Sequence, residues 1–296
     1  MNCGFSLALA ASIAVLAAPV SAKAPSAASL PSAIYRDPPA NKAHPARLEV
    51  LHIPTGGVLI NGIAYLASGA GPHPTVVICH GLPGNEKNLD LAQALRRAGW
   101  NAIAFNYRGS WGSPGAFKFA QNPEDLRAVL AFLRAPANAA KLGIDAKHIA
   151  VVGHSMGGWV TVMGGAAKPG LSALVLISAA DMGFIGRSDR AELVKHMADD
   201  METLAGTSPQ AMADELATAP DSYGFVSNAG ALTATPMLVL TSDDGLAPQT
   251  DALVAAIRKS GGTKLRSAHV ATDHSWSDRR IDLETRIIRF LKPLFK

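Results

Sequence analysis

The sequence predicts an α/β fold: a mostly parallel, doubly wound sheet with helices on both faces. Three observations predict it. Short, uninterrupted apolar runs recur along the chain, as strands covered on both sides require. Stretches with apolar residues at helical spacing alternate with them. The segments joining the two kinds are rich in Gly, Pro, Asn and Asp, which end strands and open helices. At 296 residues and 48% hydrophobic content, one large domain has ample material for its core.

The first 22 residues carry no charged side chain, run apolar over positions 5–18, and reach Pro19-Val20-Ser21-Ala22, a small-residue cleavage pattern. They read as a secretory signal peptide, since the apolar run falls short of the roughly 20 residues a spanning helix needs. The expected product is periplasmic or secreted, with no stable membrane anchor after cleavage. Cleavage would remove Cys3 and leave Cys79 alone, so stability must come from packing rather than an internal disulfide. Residues 23–46 are rich in Ala, Ser and Pro without an apolar period, and are expected to form a flexible N-terminal segment. One domain is then expected over 47–296.

Within it, residues 48–53 and 58–66 flank Thr55-Gly56-Gly57 and predict an opening hairpin. A buried strand over 75–79, a helix over 86–98 and a strand over 102–105 follow. After a glycine-rich loop comes a helix with a marked start: Asn122 as cap, Pro123 at the first position, Glu124 and Asp125 in the first turn. Leu126, Val129, Leu130 and Leu133 give that helix one apolar face. A strand over 148–152, a helix over 155–167 and a strand over 173–178 come next. Residues 181–232 are helical in pattern. Met182, Met197, Met201 and Met212 in this segment read as core of its helices or as lining of an adaptable pocket. A strand over 237–241, a helix over 249–260, a strand over 264–270 and a helix over 278–294 end the chain.

The formal net charge is +4, yet the lysines and arginines are scattered with no block of five or more, which excludes a nucleic-acid-binding face. No G-x-G-x-x-G or Walker lysine is present, so nucleotide binding is not expected, and neither a cofactor nor a metal is called for. The oligomeric state is left open.

The chemistry concentrates at Gly153-His154-Ser155-Met156-Gly157, which fits G-x-S-x-G directly after a buried strand and directly before a helix. The flanking glycines permit the sharp turn that presents a serine hydroxyl at the carboxyl edge of a sheet. That same turn points His154 away from the serine, so the base must come from elsewhere. His154 is expected to pack beside the turn and donate to backbone or to a carboxylate.

On these residues the chain resembles the α/β-hydrolase family, over about residues 47–296, and the resemblance implies a helical cap inserted over 181–232. The resemblance implies a catalytic serine, acid and histidine in that order, each on a loop after a successive strand. The serine is Ser155. In the family the acid usually stands four residues before a proline that opens a helix, which with Pro248 selects Asp244 over Asp243; Thr241 replaces a glycine common three residues before the acid. The histidine is His274, on a loop, rather than His269, inside a strand pattern. The stretch 272–279 also looks like the histidine loop of peptidase-like members. The resemblance implies backbone oxyanion donors at Met156 and at Leu82, the residue after His80-Gly81; Pro83 has no N–H to give. The loop beginning Asn106-Tyr107-Arg108-Gly109 is similar to one in serine esterases and peptidases of this fold, with Arg108 read as an ion-pair partner.

The expected function is a serine hydrolase cleaving an ester of a small or medium acyl group. A small-peptide or aminoacyl amide substrate is the first alternative, set second because no dedicated anchor for a peptide terminus is visible. A non-catalytic binding protein on a hydrolase scaffold is the other, although such proteins tend to lose part of the serine-acid-histidine set.

Overall fold

The structure, a computed structural model, describes residues 30–166 and 170–295. The expected signal peptide, and residue 167 at the end of a predicted helix, lie outside the described residues.

Eight strands form one sheet in the order β1-β2-β4-β3-β5-β6-β7-β8. The strands are β1 (Arg47–Thr55), β2 (Val58–Leu66), β3 (His73–Cys79), β4 (Asn101–Phe105), β5 (Ile144–His154), β6 (Ala173–Ile177), β7 (Met237–Thr241) and β8 (Leu265–His269). The hairpin β1–β2 and the β2–β4 pair are antiparallel; every pair from β4 onward is parallel. Parallel strands need crossovers, and the helices supply them. These are α1 (Leu89–Arg97), α2 (Asn122–Arg134), α3 (Pro136–Leu142), α4 (Met156–Ala166), α8 (Ala247–Lys259) and α9 (Arg280–Leu291).

Alternation along β3 divides the core. Val76 and Ile78 pack with Leu91 and Leu95 of α1 and with Leu283 and Ile287 of α9. Val77 and Cys79 point to the other face, against Leu126 and Val129 of α2, Trp159 and Val160 of α4, and the α8 side. Each such Val or Leu, fully withdrawn from water, contributes about 1.5–3 kcal/mol of transfer free energy. Between β6 and β7 lie α5 (Met182–Ile185), α6 (Arg190–Ala198) and α7 (Pro209–Thr218). Met182, Met197 and Met212 are buried there, so these three methionines serve as core.

Several expectations need correction. Of the flexible stretch expected over 23–46, one short piece is packed: Ala33, in a 3-10 turn at Ser32–Ile34, is buried, and Arg97 donates to the Ala33 carbonyl at 2.5 Å, while residues 35–46 are exposed and outside any helix or strand. Short contacts by small residues carry no apolar period, so the pattern missed them. Asn122 is inside α2 rather than its cap, because a 3-10 turn at Phe119–Gln121 leads directly into the helix; its amide is buried against Met156 Sδ. The helix expected from residue 86 starts at Leu89, since Asn88 takes a left-handed conformation (φ +55°) and its N–H is held by the Glu86 carboxylate. The short, Ala-rich α3 has too little apolar contrast to be read from sequence.

The register brings the carboxyl ends of five strands level. Cys79 of β3 pairs with Gly153 of β5, His154 with Ile177 of β6, Ile177 with Leu240 of β7, and Thr241 with His269 of β8. The loops that follow therefore leave one edge side by side, where open α/β sheets place their ligands.

The turn between β5 and α4 is packed to the limit. A Cβ on Gly157 would lie 2.1 Å from the Cys79 carbonyl oxygen, and one on Gly153 would lie 2.0 Å from the Gly157 carbonyl oxygen. Both obstacles are backbone, which cannot step aside. Gly157→Ala is therefore expected to cost about 3 kcal/mol or more in urea unfolding, or to prevent folding. Gly230→Ala, with nothing within 4 Å of the added methyl, is expected to stay within about 0.5 kcal/mol of the parent.

Candidate active site

Ser155 sits between β5 and α4 with φ +56°, a left-handed conformation that costs a non-glycine residue about 1 kcal/mol. The surroundings hold it there. Its N–H donates to the Ile177 carbonyl at 3.0 Å, and its carbonyl accepts from the N–H groups of Gly158 at 2.9 Å and Ala180 at 3.1 Å. The loop after β3 passes directly over it: a Cβ on Gly81 would fall 2.9 Å from the Ser155 Cβ. The next residue in that loop is Leu82. Among the described residues, neither the Leu82 nor the Met156 backbone N–H has an acceptor. Two unspent donors thus flank the serine, one of them at the positive end of α4.

The loop carrying Leu82 is held by its neighbours. The Pro83 carbonyl accepts from Trp111 Nε1 at 2.7 Å and from Thr203 Oγ1 at 3.1 Å, and Asn85 Nδ2 donates to Glu202 Oε1 at 2.9 Å. The segment around Glu202 and Thr203 therefore braces this loop. Arg108 lies apart from such work. Its Nε meets the buried Asp125 at 2.7 Å and its Nη2 meets Glu124 at 2.8 Å, an ion-pair role.

Two Asp–His pairs stand next to one another after β7 and β8. His274 Nδ1 is 2.8 Å from Asp244 Oδ2, and His269 Nε2 is 2.9 Å from Asp243 Oδ1. Burial separates them: the Asp244 side chain is 5% exposed and that of Asp243 61%. Burial works against the Asp244 carboxylate, but hydrogen bonds from His274, the Leu246 N–H and Ser242 outweigh it and bring its pKa down to about 2. It is ionised at neutral pH and can only accept, so His274 Nδ1 carries a proton, and in the neutral ring the lone pair lies on Nε2. Among the described residues no hydrogen bond joins Ser155 Oγ to the His274 ring, a contact that in free enzymes is often long and tightens on substrate.

His154, the sequence neighbour of the serine, points the other way. Its Nε2 donates to the His274 carbonyl at 2.8 Å, and the two rings lie 4.7 Å apart. It steadies the backbone of His274. Arg280 braces the same loop from the α9 side, donating to the Ser275 carbonyl at 3.0 Å while paired with Asp90. The sequence-predicted residues Ser155, Met156, Leu82, Asp244 and His274 thus all lie on loops from one sheet edge, while Asp243 and His269 form an exposed pair beside them. Ser242, which donates to Asp244 at 2.9 Å, was not anticipated; its only sequence signal is a polar residue immediately after a buried strand.

The sequence profile described as the Alpha/beta hydrolase family matches residues 76–282. An uncharacterized protein of Mycobacterium tuberculosis, found in strains H37Rv and CDC 1551, is 31% identical over 142 residues, 48% of each chain. The match thus spans about half the length of those curated relatives. Among solved structures, the alpha/beta hydrolase GrgF from Penicillium sp. sh18 superposes with a TM-score of 0.65 at 17% identity, covering 84% of this chain and 99% of that one. The thermostable carboxylesterase EstE1, cloned from a metagenomic library, superposes with a TM-score of 0.61 at 19% identity, covering 86% and 91%. At such identities these structures speak for the fold.

His80 and His154 are both almost wholly buried, and burial lowers each pKa to about 4 from the ordinary histidine value of 6.5. Because the folded value lies below the unfolded one, the unfolded chain takes up protons first as pH falls. Stability present above about pH 6.5 is therefore lost progressively toward pH 4, at up to about 1.4 kcal/mol per pH unit for each histidine. Urea unfolding at pH 7, 6 and 5 is expected to show falling midpoints, with a shallower decline in His154→Gln, which keeps a donor but cannot take a proton.

Proposed function

The chain belongs to the alpha/beta hydrolase family, and from that premise we propose that it is a serine hydrolase cleaving carboxylic esters with a small or medium acyl group through an acyl-enzyme. The observation that carries the reading is the pairing of His274 Nδ1 with a buried, ionised Asp244, on the same sheet edge as a strained serine.

In this reaction Ser155 Oγ attacks the ester carbonyl carbon and its proton passes to His274 Nε2. Asp244 holds the ring by Nδ1 and supports the positive charge that the ring acquires. The N–H groups of Leu82 and Met156 bind the oxygen that becomes negative, a term in which one donor is typically worth about 100-fold or more in rate. The tetrahedral intermediate collapses, the alcohol leaves with the proton from His274, and Ser155 keeps the acyl group. Water then repeats the sequence: it gives a proton to His274, attacks the acyl carbon, and Ser155 leaves as the carboxylic acid is released.

An ester is preferred to an amide because ester cleavage needs only this constellation. The substrate is a small molecule admitted past the cap, which we assign to residues 181–232. Export through the first 22 residues to the periplasm or the medium belongs to the same reading.

A fluorophosphonate probe is expected to label the wild-type protein, and Ser155→Ala is expected to lose all labelling. On a panel of p-nitrophenyl esters of increasing chain length and aminoacyl amides, turnover should favour short and medium esters. His274→Ala should lower kcat about 10,000-fold, and Asp244→Asn should cost far more than Asp243→Asn, which should stay within about threefold of the parent. Labelling that survives in Ser155→Ala overturns the mechanism.

A further inference from the structure

The hydrogen bonds at Asp244 do not end with the carboxylate. Its Oδ2, which holds His274 Nδ1, also accepts from Ser242 Oγ at 2.9 Å. Ser242 Oγ lies 2.7 Å from Ser178 Oγ, and Ser178 Oγ lies 3.0 Å from Trp276 Nε1. The two ends fix the direction of every proton. An indole N–H can only donate and an ionised carboxylate can only accept. Trp276 therefore donates to Ser178, Ser178 to Ser242, and Ser242 to Asp244. All three donors are buried, Trp276 completely.

The chain also closes on itself. Ser178 directly follows β6 and Ser242 directly follows β7, adjacent parallel strands, and the Ser178 N–H holds the Leu240 carbonyl at 2.8 Å. Trp276 stands two residues beyond His274 in the same loop. The loop that carries the histidine is thus fastened to the acid twice, once through the imidazole and once through this relay. The backbone gives a further indication. Ser178 has φ +44° and Trp276 φ +59°, a region where glycine would be the easier residue. Side chains that keep their place against that strain are there for what their polar atoms do.

We propose that Ser242, Ser178 and Trp276 are positioning residues for the Asp244–His274 pair, a one-way series of donors that fixes the rotation of the carboxylate and keeps the His274 ring turned toward Ser155. Carboxylate oxygens have more lone pairs than one histidine can use, and an Asp side chain turns readily about its last torsion. With Oδ1 held by the Leu246 N–H at 2.9 Å and Oδ2 by Ser242, only one orientation satisfies both. Hydrogen bonds in series also polarise one another, so the last donor is stronger than a lone serine would be.

The role assigned to the pair rests on the serine-hydrolase reading, so the test has one readout that does not. In proton NMR at neutral pH, the wild-type His274 Nδ1–H is expected to give a downfield resonance in slow exchange with water. Ser242→Ala and Ser178→Gly, the latter suited to the backbone at that position, should each broaden that resonance and speed its exchange, while the thermal transition stays cooperative. In ester turnover both should lower kcat about 10-fold with KM within about twofold, because the interaction is made in the transition state. The double variant should be little worse than Ser242→Ala alone, since both changes break one chain. An unchanged Nδ1–H resonance, or losses that simply multiply in the double variant, overturns the relay. A wild-type protein that neither turns over esters nor reacts with a fluorophosphonate overturns the serine reading, while the resonance still decides the relay.

Discussion

The turn at Ser155 can exist only because three residues around it lack a Cβ. Gly153 and Gly157 let β5 run into α4 without room for a single methyl, and Gly81 lets the loop after β3 pass within van der Waals distance of the serine. Everything else in the site takes its position from that crowding. The N–H groups of Leu82 and Met156 flank the hydroxyl because backbone is pressed against backbone there. The histidine and the acid can converge on the same place because β5, β6, β7 and β8 end level with one another. A sheet tolerates such crowding at its carboxyl edge because the strands beneath, from Val76 to Leu240, are fully buried and cannot yield.

The choice between two adjacent Asp–His pairs is made by solvent rather than by distance, since the bonds are nearly equal in length. At the surface, Asp243 and His269 are each more than half exposed, and water competes for every bond they make. Asp244 has three protein donors and little water, so its charge is fixed in place and its partner ring with it. A carboxylate prepared in this way needs no reorganisation when the imidazole becomes positive, which is where such a group contributes to rate. Burying His154 beside the ring serves the same end. A neutral imidazole that donates to the His274 carbonyl steadies the loop without adding a second positive charge next to the first.

Much of this was legible in the sequence. The elbow glycines and the buried strands are local signals, each readable from its own few residues. The order of serine, acid and histidine, and the proline spacing that pointed to Asp244, came with the resemblance to the family. What escaped was of another kind. Ser178, Ser242 and Trp276 are far apart in the chain and ordinary in type, and they meet only because β6 and β7 are neighbours and the His274 loop folds back over them. The packing of Ala33 was missed for a related reason: one small residue set into the apolar core from a short turn leaves no periodic trace. Asn122 misled because its residue type suits a helix cap, whereas the preceding 3-10 turn had already started the helix.

The distribution of strain points to how the site is held. Among the described residues, five that are not glycine have positive φ: Asn88, Trp111, Ser155, Ser178 and Trp276. Each costs about 1–2 kcal/mol against an extended or right-handed conformation, a large sum for a domain of ordinary stability. None lies in a strand or helix interior, and each touches the site directly or through one or two hydrogen bonds. Asn88 holds Arg280, which holds the His274 loop; Trp111 holds Pro83 beside the Leu82 N–H; Ser155 is the serine itself; Ser178 and Trp276 belong to the chain behind Asp244. A fold selected for stability alone would relieve such positions with glycine. Their side chains are instead the ones that fix the loops, so the sheet's stability offsets a rigid carboxyl edge, on which the loops bearing Ser155, Asp244 and His274 are held in place.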